Sequence, residues 1–139
     1  MSVLVIDGSV VVNWFLQDEP AQSAYAQKVR LKIPQVQTLS VPPHWMLEVV
    51  NALLVAERRK RIPAAAVDHA LGVLRQIPVR YDSDSSSAVI TQTLELARQN
   101  MLSIYDAAYL ELALRLGASL ATLDEPLKAA AKRRGVKII

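Results

Sequence analysis

Four acidic residues stand where a fold of alternating strands and helices would bring them together. They are Asp7, Glu48, Asp106 and Asp124. Asp7 and Asp124 each end a strand-like run, Asp106 opens a helical stretch, and Glu48 lies inside an apolar helical run. Ligands of open α/β sheets bind outside the carboxyl ends of the strands. Carboxylates crowded there repel one another, and a divalent cation is the usual reason to keep them together.

Such a group of carboxylates indicates metal-dependent phosphodiester chemistry. Mg²⁺ and Mn²⁺ prefer hard oxygen ligands in octahedral geometry and keep several waters. A bound ion polarises a phosphoryl oxygen and lowers the pKa of a water ligand, so that hydroxide is available at neutral pH. This chemistry requires neither a side-chain nucleophile nor a general-base histidine. The two histidines, His44 and His69, are therefore assigned no role.

Three of the four acids also have a structural interpretation as helix caps. Asp7 and Asp124 each follow a strand-like run and precede a helical one, where an Asp side chain can accept from free backbone N–H groups. Ser103, followed three residues later by Asp106, resembles a capping box. For Asp7 taken alone, capping is the favoured interpretation, whereas its position at the end of a strand favours a ligand site.

Glu48 fits the capping interpretation badly because it lies in mid-helix among apolar neighbours. Burying an unpaired carboxylate there costs on the order of several kcal/mol. Arg58 and Arg59 lie too far along the helix to pair with it locally. His44, Glu48 and Asn51 share one helix face. Asn51 could therefore orient Glu48 or a metal-bound water.

Strand and helix signals alternate along the whole chain. The strand-like runs are residues 3–7, 38–41, 79–81, 120–123 and 136–139. The helical patterns between them include the long apolar stretch 44–61 and the segments 106–116 and 127–134, and Gly135 follows the last one as a C-terminal cap. Strands separated by helices imply crossover connections, and hence an α/β fold whose mostly parallel sheet is buried on both faces.

Composition narrows the class of protein. The 139 residues predict one domain, residues 1–139, and 52% apolar with 21% charged residues is ordinary for a globular protein. The absence of cysteine excludes disulfides, zinc–thiolate sites and thiol nucleophiles. No apolar run is long enough for a membrane span, and no signal peptide is evident, so a cytoplasmic location is expected. The net charge of +3 is a weak indication of a polyanionic partner.

Four segments carrying these acids resemble the PIN-domain family, and most closely the VapC-type toxins of toxin–antitoxin pairs. The matching segments are residues 5–12, 43–53, 102–113 and 120–127. Each motif alone is weak, but four in order, in matching strand and helix context, are specific. Gly8 stands where the family more often has alanine or a small hydroxyl residue, and no acidic position is lost.

The resemblance implies a three-layer α/β/α fold with a five-stranded, mostly parallel sheet of order 3-2-1-4-5. It also implies an endoribonuclease that uses Mg²⁺ or Mn²⁺, acts on RNA, forms a homodimer and is inhibited by a cognate VapB-type antitoxin. The family's acidic positions match Asp7, Glu48, Asp106 and Asp124. Its frequent polar accessory positions match Ser9, Asn51, Ser103 and Thr122.

Two other functions stay open at this point. One is a non-catalytic nucleic-acid-binding module of the same fold, in which the acids are caps. The retention of Glu48 argues against it, because this acid has no capping role. The other is a phosphatase or a phosphoacceptor domain, in which Asp7 would be phosphorylated. Haloacid-dehalogenase-type phosphatases need a second aspartate two residues after the first, and that position is Ser9 here.

Overall fold

The computed structural model describes residues 2–139, which form an α/β fold around one parallel sheet. The strands are β1 (Val3–Ile6), β2 (Thr38–Val41), β3 (Val79–Tyr81) and β4 (Ser119–Ala121). Their order is β3-β2-β1-β4, and every neighbouring pair is parallel. Val5 of β1 is in register with Ser40 on one side and Leu120 on the other. The carboxyl ends of β1 and β4 are therefore adjacent.

Helices connect and cover these strands. They are α1 (Gly8–Val12), α2 (Pro20–Lys32), α3 (Trp45–Arg58), α4 (Ala64–Arg75), α5 (Ser87–Asn100), α6 (Ile104–Leu116) and α7 (Glu125–Arg133), with a 3₁₀ turn at Ile33–Gln35. Ser86 caps α5, and α6 ends at Gly117, whose φ of 61° favours glycine. None of the helices in residues 2–139 is long and apolar enough to cross a membrane.

The core lies on both faces of the sheet, as the sequence predicted. Leu4, Val5 and Ile6 are all fully buried, although successive strand side chains point to opposite faces. Helix α3 contributes Trp45 and Leu53 to the same core, and both are inaccessible to solvent. Close packing of these side chains fixes the position of α3, the helix that carries Glu48, relative to β1.

The prediction of a fifth strand at residues 136–139 is wrong, since the sheet has four strands. The segment does lie beside β4, but Leu120 and Ile138 form only one isolated parallel bridge. The Leu120 N–H donates to the Lys137 carbonyl (2.9 Å), and the Ile139 N–H donates to the Leu120 carbonyl (3.0 Å). The pairing is limited to these two hydrogen bonds, so the segment does not become a strand of the sheet.

Strands β2 and β3 have the predicted bounds, whereas β1 and β4 end earlier than predicted. Asp7 leaves the strand to become the residue before α1, and residues 122–124 connect β4 to α7. The polar side chains of these connections bond across the sheet edge instead of continuing the strands. The early strand ends therefore place polar residues at the carboxyl edge of the sheet.

The buried face of α3 can be tested by paired leucine truncations on that helix. Leu53→Ala removes a fully buried side chain, so we expect the free energy of unfolding to fall by about 2–5 kcal/mol. Leu47→Ala, at a side chain that is 76% exposed, should change it by less than about 0.5 kcal/mol. Urea unfolding of both variants measures the difference. Equal losses would contradict the orientation of α3.

Candidate active site

Asp7 lies at the carboxyl end of β1, where its backbone N–H donates to the Ala121 carbonyl (2.9 Å). Its side chain is only 3% exposed, and Oδ2 accepts hydrogen bonds from the Ser9 hydroxyl (2.8 Å) and the Thr122 hydroxyl (2.7 Å). The side chain makes no capping bond to α1, although Asp7 occupies the N-cap position. The capping interpretation of Asp7 is therefore wrong, and two hydroxyl groups hold its carboxylate instead.

The electrostatic environment of Asp7 disfavours its charged form. Burial raises its pKa from the ordinary value of 3.8 to about 6, and the negative charges of Glu48 and Asp106 add to the rise. The hydrogen bonds from Thr122 and Ser9 act in the opposite direction. Asp7, Glu48 and Asp106 are thus close enough to influence one another's ionisation.

Glu48 is half-buried on α3, with 36% of its side chain exposed. Its Oε1 accepts a hydrogen bond from the hydroxyl of Tyr109 (2.9 Å), and that hydroxyl accepts from the Gly8 N–H (3.4 Å). A tyrosine hydroxyl from α6, and not Asn51 of α3, is therefore the hydrogen-bond partner of Glu48. Burial raises the pKa of Glu48, and burial beside Asp7 and Glu48 also raises the pKa of Tyr109, which stays a protonated donor.

His44 adjoins Glu48 from the preceding turn. Its Nε2 lies 3.6 Å from Oε2 of Glu48, beyond hydrogen-bond distance, and its ring packs edge-on against Tyr105 and Tyr109. Burial lowers the pKa of His44, so the ring is neutral at pH 7. No role was expected for His44, and Tyr109 was not among the predicted site residues. Helical spacing was the available signal, because His44 lies four residues before Glu48 and Tyr109 three after Asp106.

The remaining two acids begin helices. Asp106 is half-buried in the first turn of α6, where Ser103 accepts from its backbone N–H (3.0 Å). Burial and the charge of Asp124 raise its pKa. Asp124 caps α7, because its Oδ2 accepts from the Leu127 N–H (2.9 Å). The capping interpretation is therefore confirmed for Asp124, and Ser103 is a cap as predicted.

Asn51 lies one turn after Glu48 with an exposed side chain. No side-chain hydrogen bond of Asn51 occurs within residues 2–139, so its role in orienting Glu48 or a water stays a prediction. The neighbouring cleft has a volume of about 380 Å³, and its polar lining comprises Ser9, Asn13, Gln22, Glu48 and Asp124. The cleft therefore reaches two of the four acids.

The oxygen donors of this site suit a hard cation. Within the described chain, no Lys or Arg forms an ion pair with any of the four acids. No group of three Asp, Glu or His side chains in residues 2–139 is compact enough to enclose an ion by itself. Mg²⁺ keeps several waters and takes few carboxylates, so this open arrangement fits it better than a fully protein-ligated ion.

Similarity to known proteins gives independent information about the family of this chain. Residues 4–133 match the family model described as PIN domain. Ribonuclease VapC3 of Mycobacterium tuberculosis is 33% identical over 127 residues, which are 91% of this chain and 86% of that protein. The structure of VapC20 from the same species, described as a sarcin-ricin loop cleaving toxin, has a TM-score of 0.67 at 17% identity and covers 91% of this chain and 94% of that one. VapBC2 of Rickettsia felis, bound to a DNA fragment from its promoter, has a TM-score of 0.61 at 12% identity, with coverage of 99% and 97%.

The raised pKa of Asp7 predicts a pH-dependent gain in stability for Asp7→Asn in EDTA. The folded state holds the Asp7 proton more tightly than the unfolded state, so stability falls as the pH rises from the ordinary pKa of 3.8 to the folded pKa of about 6, and the loss is constant above that. The gain should reach roughly 3 kcal/mol near pH 8, by the shift of about two pKa units, and vanish below about pH 4.

Urea unfolding at a series of pH values measures this gain. Asp68→Asn makes the same change of charge at an exposed position of α4 and is the control. A stability difference for Asp7→Asn that does not change with pH would contradict the electrostatic environment described for Asp7.

Proposed function

Since the chain belongs to the PIN-domain family, we propose that it is an endoribonuclease of the VapC type that depends on Mg²⁺ or Mn²⁺. Asp7, Glu48, Asp106 and Asp124 are its catalytic and metal-holding acids. One observation carries the proposal: the negative charges of Glu48 and Asp106 act on the buried carboxylate of Asp7 and raise its pKa, and no Lys or Arg of residues 2–139 forms an ion pair with any of these acids. A cation from solution removes that repulsion.

The protein's own residues prepare the site for an ion and a phosphate. Ser9 and Thr122 hold the Asp7 carboxylate in one orientation, and Ser103 fixes the first turn of α6, which carries Asp106. His44 is neutral and adds no competing positive charge. When bound, the ion supplies Lewis-acid polarisation of the phosphodiester and a water of lowered pKa. One carboxylate oxygen of Asp124 accepts the hydrogen bond that caps α7. Asp124 is therefore the least direct metal ligand of the four acids.

RNA is the proposed substrate and a VapB-type antitoxin the proposed partner. The similar proteins are described as a ribonuclease, a sarcin-ricin loop cleaving toxin and a VapBC pair. An antitoxin segment that covers the cleft beside Glu48 and Asp124 would exclude RNA. We further propose that the chain is one cytoplasmic domain, residues 1–139, and that it acts as a homodimer.

A non-catalytic nucleic-acid-binding module is the alternative. In such a protein the acids would contribute only to stability, and capping would explain their retention. Only Asp124 makes the expected side-chain capping bond, whereas burial of Asp7 in its charged form destabilises the fold. Stability alone therefore gives no reason to retain Asp7, which favours the catalytic function.

Loss of single acids tests the proposal directly. Asp7→Asn, Glu48→Gln and Asp106→Asn should each lower Mg²⁺-dependent RNA cleavage by at least about 100-fold, because each removes a charge that holds the ion, and loss of a key electrostatic contact costs that order of rate. Asp124→Asn should be milder, since Asn also caps a helix well. Cleavage of a structured RNA, with and without EDTA, measures these effects, and Asp68→Asn is the control.

Metal-dependent unfolding provides the second readout for the same variants. Mn²⁺ should raise the melting temperature of the native protein and of Asp68→Asn, because an ion that binds only the folded state stabilises it. The rise should be much smaller for Asp7→Asn and Asp106→Asn. Full cleavage by Asp106→Asn, or equal metal responses in all four proteins, would contradict the assigned site.

A further inference from the structure

We propose that Tyr109 is a positioning residue for Glu48, and that Gly8 leaves the space in which the two side chains meet. Tyr109 would fix one oxygen of the Glu48 carboxylate so that the other is presented to the metal. This inference rests on the proposed function, since it concerns the same ion. It assigns a role to two residues that are not acids and would not themselves bind the ion.

The Tyr109 hydroxyl is fixed from two sides. Its ring is fully buried on α6, and the Gly8 N–H at the start of α1 donates to the hydroxyl oxygen at 3.4 Å. A phenolic hydroxyl has one hydrogen to donate. Because the carboxylate of Glu48 lies 2.9 Å away, that hydrogen points to Oε1. The contact therefore joins α1, α3 and α6 at a single buried atom.

Glu48 has fewer fixed contacts than Asp7, and unlike Asp124 it is not held by a helix cap. Asp7 is buried and held by two hydroxyl groups, and Asp124 is held by the helix it caps. Glu48 has a longer side chain that is 36% exposed, and within residues 2–139 only the Tyr109 hydroxyl lies within hydrogen-bond distance of its carboxylate. Partners that orient a ligand in this way typically contribute a factor of about 10–100 to metal affinity or activity.

Gly8 determines how closely the carboxylate approaches α1. A Cβ atom at residue 8 would lie 3.2 Å from Oε1 of Glu48 and 3.3 Å from Cγ2 of Val49, which is tighter than nine in ten such contacts in proteins. The backbone at Gly8 is not in the left-handed region, so its conformation does not require glycine. In this chain a side chain at residue 8 would therefore push the Glu48 carboxylate or Val49 aside by a few tenths of an ångström.

Calorimetric titration with Mn²⁺ tests the role of Tyr109. Tyr109→Phe keeps the ring and removes only the hydroxyl, so we expect the Kd for Mn²⁺ to rise by about 10-fold or more. Cleavage of RNA by this variant should fall at low Mn²⁺ and recover towards the native rate as Mn²⁺ approaches saturation. A variant with merely disturbed packing would stay slow at every Mn²⁺ concentration, and that result would overturn the proposal.

Thr93→Val is the matched control. Thr93 is 5% exposed on α5, and its hydroxyl donates to the Val89 carbonyl (2.7 Å), so this variant also loses a buried hydroxyl bond, but outside the site. It should have a lower melting temperature and an unchanged Kd. In a Glu48→Gln background, Tyr109→Phe should not weaken Mn²⁺ binding further, because coupled residues give non-additive effects. An additional 10-fold loss there would overturn the proposal.

Gly8→Ala keeps the Tyr109 hydroxyl and tests the requirement for space. It should raise the Kd for Mn²⁺ severalfold without changing the Kd of a protein that already carries Glu48→Gln. An unchanged Kd in Gly8→Ala and in Tyr109→Phe, beside clear Mn²⁺ binding by the native protein, would overturn this inference alone. Absence of any Mn²⁺ binding by the native protein would overturn the proposed function together with it.

Discussion

Negative charge at the carboxyl edge of the sheet, with no protein cation paired to it in residues 2–139, is the constraint on which the rest of this structure depends. The order of the strands produces this concentration of charge. Strands β1 and β4 are neighbours, so Asp7 and Thr122, which follow their last residues, lie within hydrogen-bond distance of each other. Burial then strengthens the repulsion, since charges interact more strongly where water is excluded. Burial is the main cause of the raised pKa of Asp7, about 6, and the charges of Glu48 and Asp106 add to the rise.

Neutral hydroxyl groups, not cations, hold two of the four carboxylates of the site. Ser9 and Thr122 bond to Asp7, and Tyr109 bonds to Glu48. Hydroxyl donors fix the direction of a carboxylate without cancelling its charge, so the cleft stays attractive to a cation. At the other end of α6, acids are instead paired with a cation. Arg115 forms ion pairs with Asp82 (2.7 Å) and with the buried Glu111 (2.8 Å). The same protein thus neutralises acids that only stabilise its fold.

The two classes of acid also differ in their effect on stability. An ion pair such as that of Arg115 contributes to the fold without any ligand, whereas the site acids oppose folding until a cation binds. Active sites commonly carry such a cost, and the well-packed remainder of the domain offsets it. Here the buried strands and the core face of α3 supply that stability and keep Glu48 in place against the repulsion.

Local sequence signals were sufficient for the α/β class and the parallel sheet, because periodicity and strand ends depend on neighbouring residues. The PIN-domain family was identified from the resemblance of four segments, which carry Asp7, Glu48, Asp106 and Asp124. Only the tertiary structure decided the partners of the acids. Capping was one interpretation of Asp7, and Asn51 was the partner suggested for Glu48, but Thr122 and Tyr109 bond to these two acids from other elements, more than fifty residues away in the chain. The single bridge at residues 136–139 has the same origin, since strand pairing depends on how a segment lies beside its neighbour in the folded chain.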